Sequence, residues 1–245
     1  MSASGGPSRR RMRSGDFALI KVMIFGGKGG GTLAAQTVQA LDRAYGSHRL
    51  SGYLNDRLER GTVLFGGAVS GRFDDWRKFE DDVRFAAPLH KAGAMELNAR
   101  RIAGLGIPEP RWTALVDPRA VTAEGVRIGL GSVVSANGQI GPDSALGAHC
   151  FVRPGAIISH DVTISDFVYL GQTSVVCGYS SIETGAYIAP GAIIRDGVGV
   201  GRFALVTMGS VVTRNVPPFA IVRGNPARVT GYVDPIDPAA PDQPG

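Results

Sequence analysis

The chain holds four histidines, His48, His90, His149 and His160, and only His160 is followed directly by a carboxylate, Asp161. An imidazole titrates near neutral pH and can take a proton from an attacking amine or hydroxyl. A carboxylate beside it can hold its tautomer and stabilise its charged form. The same two residues also describe an ordinary surface His beside an Asp, so the pair alone leaves both readings open. A second cluster lies near the N-terminus, where Gly26 to Gly31 are broken only by Lys28. Between a strand and a helix, such glycines leave backbone N–H groups free to face an anion. The spacing matches neither a dinucleotide fingerprint nor a Walker loop, which argues against NAD or ATP. Together with Asn55 and Asp56 at the end of the next strand, the turn suggests a nucleotide site; the alternative is a tight turn with no ligand. A metal site is not expected, because a zinc site needs convergent ligands and the two histidines of the second half have the wrong spacing.

The elements that must position His160 follow from a repeat. An aliphatic residue returns every sixth position from Val116 through Ile128, Val134, Ile140 and onward to Val212, with Thr122 the one departure. Four residues after each stands something small, such as Ala120, Ser132, Gly138 or Cys150. No helix has a period of six, and a flat strand has a period of two. One large and one small inward residue per hexad describes a parallel β-helix whose coils bury their apolar residues by stacking on one another. In this register His160 sits near a corner with its side chain outward. His149 falls on a different face as a surface residue. Phe151, Tyr169, Tyr187 and Leu205 form one outward column that must be covered by a neighbouring subunit or a ligand.

The first half alternates strand and helix signals. Strands are expected at Phe17–Phe25, Leu50–Leu54 and Val83–Ala87, helices at Leu33–Tyr45 and His90–Leu105, and Trp112–Val116 leads into the first hexad. This is a small, open, parallel Rossmann-like layout. His48 and His90 fall at element boundaries, where capping or exposure is the default. The fold class is therefore mixed α/β plus all-β: a basic leader (1–16), a Rossmann-like domain (17–115), a β-helix (116–217), and a C-terminal segment and tail (218–245).

The hexads resemble those of the left-handed β-helix (hexapeptide-repeat) acyltransferases, in which three hexads make one triangular coil, and residues 209–228 resemble the usual end of their helices. With the small front domain, residues 17 to about 232 resemble bacterial nucleotide-sugar N-acetyltransferases of the bacillosamine and perosamine type, within the sialic acid O-acetyltransferase-like family. The resemblance implies an acetyl-CoA-dependent N-acetyltransferase acting on the amino group of a UDP- or GDP-linked sugar, working as a homotrimer. It implies His160 as the base and Asp161 as its partner. It implies acceptor contacts at Gly27, Lys28, Gly29, Gly30, Asn55, Asp56 and Arg153, and coenzyme contacts at Tyr169, Gly178, Ala189, Met208, Gly209 and Arg214. Gly178 would offer a backbone N–H to the thioester oxygen. Three positions depart from the family's pattern: Gly30 and Tyr169 stand where relatives carry His, and Arg153 where they carry Asn. These departures imply an altered acceptor. A sugar O-acyltransferase is the nearest rival, and a non-catalytic scaffold or binding module is the rival of another class.

Composition sets outer bounds. The net charge of +5 owes much to Arg9, Arg10, Arg11 and Arg13 in a Gly/Ser-rich leader. No stacking aromatics accompany them, so a solvated tail is expected and no nucleic-acid partner. Lys21 interrupts the apolar run from Phe17 to Phe25, which reads as a buried strand instead of a signal peptide. No stretch reaches the roughly 20 apolar residues of a membrane span, and a cytoplasmic location without membrane contact is expected. Two cysteines make no disulfide framework, and Cys150, at an inward position, is expected to be a packed thiol.

Overall fold

The computed structural model describes residues 19–235; the basic leader, Phe17 and the end of the tail lie outside them. Strand β1 (Ile20–Phe25) is followed by α1 (Gly30–Tyr45), β2 (His48–Leu54), β3 (Val63–Leu64), β4 (Gly67–Gly71), β5 (Val83–Ala86) and α2 (Met95–Gly104). The sheet order is β3-β4-β2-β1-β5. The central strand β1 is apolar and buried from Val22 to Phe25, as a strand covered on both faces must be. Helix α1 turns Ala34, Ala35, Val38 and Leu41 toward it. The helix ends at Gly46, in the left-handed conformation (φ 63°), whose N–H bonds Asp42 O.

Two sequence expectations are corrected in this half. The sheet is not wholly parallel: β3 and β4 form an antiparallel hairpin across Phe65-Gly66, with Gly66 at φ 74°. The second helix begins at Met95, five residues later than expected. Gly93 at φ 76° breaks the turn before it, and the His90 ring is drawn away to bond His149 O at 3.0 Å.

From Leu115 the chain winds through two-residue strands into three faces. The first face carries Leu115, Val133, Phe151, Tyr169, Tyr187 and Leu205 in parallel register. The second carries Val121, Gln139, Ile157, Val175, Ile193 and Val211. The third carries Arg127, Ala145, Thr163, Ser181 and Gly199. The next residue of every strand points inward, and the aliphatic column from Val134 to Val212 forms one continuous buried core. Thr122 is exposed in the end coil, which explains why the one polar residue of the repeat stands there. Cys150 is buried in the core, its thiol pushed up to about 12 by burial and bonded to Ser165 O. A hairpin of Ala220–Gly224 and Ala227–Tyr232 extends the first face and closes the far end.

The expected cover for the aromatic column is also corrected. Phe151 and Tyr169 are 1% and 4% exposed within a single chain, because the front domain packs on the first face. They join Leu115 and Val133 in one cluster with Val22, Ala34, Val38 and Met95. Tyr169 and Tyr187 stack at 4.2 Å, and Phe151 meets Tyr169 edge-on at 6.2 Å. His149, expected on the surface, is likewise taken into this junction. It stacks on Phe167 at 4.8 Å and meets Trp112 edge-on at 4.6 Å. His90, expected to cap or face solvent, lies between Phe151 and Tyr169 at 5.8 and 5.9 Å. Burial holds both imidazoles down to about pKa 4, so both are neutral at ordinary pH.

Candidate functional site

His160 lies at the corner between the second and third faces, opposite the face that the front domain covers. Its Nδ1 is 2.8 Å from an Asp161 carboxylate oxygen. A carboxylate oxygen accepts, so Nδ1 donates this bond and Nε2 is the nitrogen free to take part in proton transfer. Asp161 reaches back because it occupies the left-handed corner position at φ 54°, which Asp tolerates better than most residues. Both side chains are nearly half exposed, at 46% and 45%. One coil on, Gly178 lies directly under the imidazole: a Cβ there would come within 2.7 Å of His160 Cε1 and 2.9 Å of Nε2. Glycine is therefore required by the ring's close approach. The Gly178 N–H has no backbone acceptor among the described residues, whereas its carbonyl takes the Gly197 N–H.

The sequence missed Tyr179. It stands one coil beyond Asp161, also left-handed at φ 58°, and meets the His160 ring edge-on at 5.1 Å while remaining 68% exposed. The eighteen-residue spacing from Asp161 was the available signal.

The glycine-rich turn opens on a cavity of about 220 Å³ walled by Gly26, Gly27, Asn55, Asp56, Lys91 and Arg101. The amides of Gly27, Lys28 and Gly29 have no backbone acceptor among the described residues. Gly27 packs so closely on Asn55 that a Cβ would meet its amide nitrogen at 2.8 Å. Asn55 Oδ1 accepts from the N–H groups of Arg57 and Leu58, and Asp56 accepts from Phe73 N and pairs with Arg101. Gly29 faces open space at φ 84°. A side chain at Gly30 would collide with Pro88 O at 2.5 Å, so the backbone of the segment after β5 demands glycine there.

The three departures converge. Gly30 abuts Phe151 (3.6 Å from an added Cβ), Arg153 lies over the rings of Phe151 and Tyr169 at 5.0 and 5.6 Å, and Arg153 Nη1 donates to Tyr169 Oη at 2.9 Å. Of the residues expected to meet a coenzyme, Met208, Gly209 and Arg214 are exposed, whereas Ala189 and Tyr169 are buried. Ala189, Met208 and Gly209 stand at one edge of the second face, and Gly178, Arg214 and His160 at the other. A single chain thus brings His160, Asp161 and Gly178 together, and separately gathers the turn, Asn55 and Asp56. It does not bring the two groups to one another. Among the described residues no group of His, Cys, Asp and Glu could hold a metal ion, and no helix is long and apolar enough to cross a membrane.

No protein-family model matches the chain. Among solved structures, it is similar to a variant of perosamine N-acetyltransferase from Caulobacter crescentus in complex with CoA and GDP-perosamine. That likeness has 24% identity, covers 87% of this chain and 98% of that one, and has a TM-score of 0.75. The acetyltransferase domain of PglB from Neisseria gonorrhoeae, in complex with acetyl coenzyme A, matches at 24% identity over 86% and 100%, with a TM-score of 0.74. The fold is therefore that of these β-helix acetyltransferases, with its front α/β region included. Among curated sequences, 56 residues are 39% identical to a dTDP-3-amino-3,6-dideoxy-α-D-galactopyranose 3-N-acetyltransferase of Aneurinibacillus thermoaerophilus, covering 23% of this chain and 29% of the relative. A UDP-N-acetylglucosamine O-acyltransferase of Synechocystis is 35% identical over 91 residues, 37% of this chain and 31% of the relative. The chain thus spans under a third of the length of these curated relatives.

Proposed function

We propose that the chain is an acetyl-CoA-dependent N-acetyltransferase acting on the amino group of a nucleotide-linked sugar. The observation that carries this reading is the His160–Asp161 pair seated over Gly178 on an open β-helix corner, in the fold shared with the sugar N-acetyltransferases. His160 Nε2 takes the proton of the acceptor amine as it attacks, Asp161 holds the ring and steadies its positive charge, and the Gly178 N–H donates to the oxygen where charge develops. The imidazolium then returns its proton to the departing thiolate. Acetyl-CoA supplies the activated acyl group. The exposed corner at Met208 and Gly209, where a Cβ on Gly209 would meet nothing within 4 Å, has room for its arm, and exposed Arg214 offers a cation for its phosphates. The cavity at Gly27 and Asn55 takes the nucleotide.

The working form is a homotrimer. The first face is covered from within the chain, so the argument for assembly rests on the second face. There Val121 and Ile193 are 63% and 39% exposed, in one outward column with Ile157, Val175 and Val211. A copy seated on that face covers the column and brings its own front-domain cavity toward His160, closing the gap a single chain leaves.

The test is thiol release from acetyl-CoA with amino and hydroxyl-only nucleotide sugars. The amino sugars should turn over, and His160→Ala should be about 10²- to 10⁴-fold slower with its oligomeric state intact. Turnover of hydroxyl-only sugars would favour the O-acyltransferase, a reading the Synechocystis match keeps in view. Failure to bind CoA, with His160→Ala indistinguishable from wild type, would leave a scaffold.

A further inference from the structure

Among the described residues Arg153 is a cation without a counter-ion. It takes part in none of the ion pairs formed by the described residues. A guanidinium offers five N–H donors, and this one uses a single bond, to Tyr169 Oη. Its Nε is buried with no partner. It cannot relax into solvent freely, because its plane is held over the rings of Phe151 and Tyr169. Buried polar atoms are almost always hydrogen-bonded, yet among the described residues two more at this corner are not. They are Ser135 Oγ, at the equivalent position one coil before, and Gln172 Oε1, at the same corner one coil after. Rotating the Gln172 amide exchanges its oxygen for a donor. His90, kept neutral chiefly by burial, donates through Nε2 to His149 O and adds neither charge nor donor, so the positive charge of Arg153 is left uncompensated among the described residues. The glycine-rich turn, with its free amides, is one ring away: a Cβ on Gly30 would lie 3.6 Å from the Phe151 edge on whose face the guanidinium rests.

We infer that Arg153, with Ser135 and Gln172 beside it, forms a subsite for an oxyanion of the acceptor, a carboxylate on the amino sugar or a phosphate of its linker. This deepens the proposed function and rests on the nucleotide-sugar reading. The planar fork of Arg pairs two parallel N–H groups with the two oxygens of either group. An oxyanion there supplies the missing charge and fills the unpartnered donors, while the stacked rings fix the fork before the ligand arrives.

The experiment is calorimetric titration of wild type, Arg153→Gln and Arg153→Lys, with no acyl donor present. The ligands are inorganic pyrophosphate, UDP and GDP, their neutral amino-sugar conjugates, and the corresponding amino-uronates. A lost charge-assisted bidentate contact weakens binding by about 10- to 100-fold. If Arg153→Gln weakens every ligand by a similar factor, pyrophosphate included, the oxyanion is a phosphate. If only the amino-uronates weaken, it is a sugar carboxylate. Arg153→Lys keeps the charge and loses the fork, and should fall between; it is the variant read if Arg153→Gln does not fold. Unchanged affinity for all ligands in the variants, or a wild type that binds none of them, overturns the subsite. Because acyl transfer is not measured, an enzyme that binds anions through Arg153 but transfers no acetyl group would sink the proposed function and leave the subsite standing.

Discussion

The first and second faces of the β-helix have the same backbone and the same outward register, yet they meet the outside differently. The first presents Phe151, Tyr169 and Tyr187, and these large rings are covered by the chain's own front domain. The second presents Ile157, Val175, Ile193 and Val211, of which Ile193 is exposed and the others half-buried among the described residues. Aromatic rings project far enough to fill the uneven underside of an α/β layer, as Phe151 does against His90 and beside Gly30. Short aliphatic chains make a flat surface suited to a second regular face. Outward periodicity therefore identifies a face that needs cover, and side-chain size indicates which cover.

Substitutions on the two faces should separate these roles. Phe151→Ala removes a ring 1% exposed and should cost about 3–5 kcal/mol, read as a large fall in melting temperature. An equally small loss from Phe151→Ala and Val175→Ala would erase the distinction between the faces. Acid should act on the first face more than on the second. His90 and His149 have folded-state pKa values lowered to about 4 from an ordinary 6.5. The unfolded chain therefore binds more protons between those values, and the stability present above pH 6.5 is lost as pH falls toward 4. Asp166 opposes the shift at His149, and Arg153 adds to it at His90. The melting temperature should drop by about 3–8 °C between pH 7 and 5, and less in His90→Gln/His149→Gln. A double variant as acid-sensitive as wild type would remove the junction from the explanation. The smallest effect on the chain's own fold is expected for Ile193→Asp, within about 0.5 kcal/mol for an exposed site. Light scattering should nevertheless show the assembly broken into single chains. An intact trimer would place the contact elsewhere.

How far the sequence carried depends on what each feature rests on. The His160 corner was legible because a hexad period is a property of the backbone: once Ile158 is inward, the placements of His160, Asp161 and Gly178 follow. Cys150 was legible for the same reason. The cover of the first face was not, since register states only that Tyr169 points out. His90 and His149 were misplaced because their burial depends on a contact spanning 59 residues. That same contact delayed α2 to Met95, where local propensity had no means of foreseeing it. The β3–β4 hairpin was missed because a two-residue strand carries no period. Gly30 read as a departure in a substrate turn, and its packing against Pro88 gives it a structural reason.

In the proposed trimer the site is split between copies, with His160 from one chain and the glycine-rich cavity from another. Mixing two inactive variants tests it most directly. His160→Ala lacks the base, and Gly27→Val drives a side chain into Asn55 and blocks the cavity. Co-refolded in equal amounts, they should regain about a quarter of wild-type acetyl transfer, because random closed assembly places an intact base beside an intact cavity at that frequency. No activity from a mixture shown to contain hybrid trimers would contradict the account and return the whole site to a single chain.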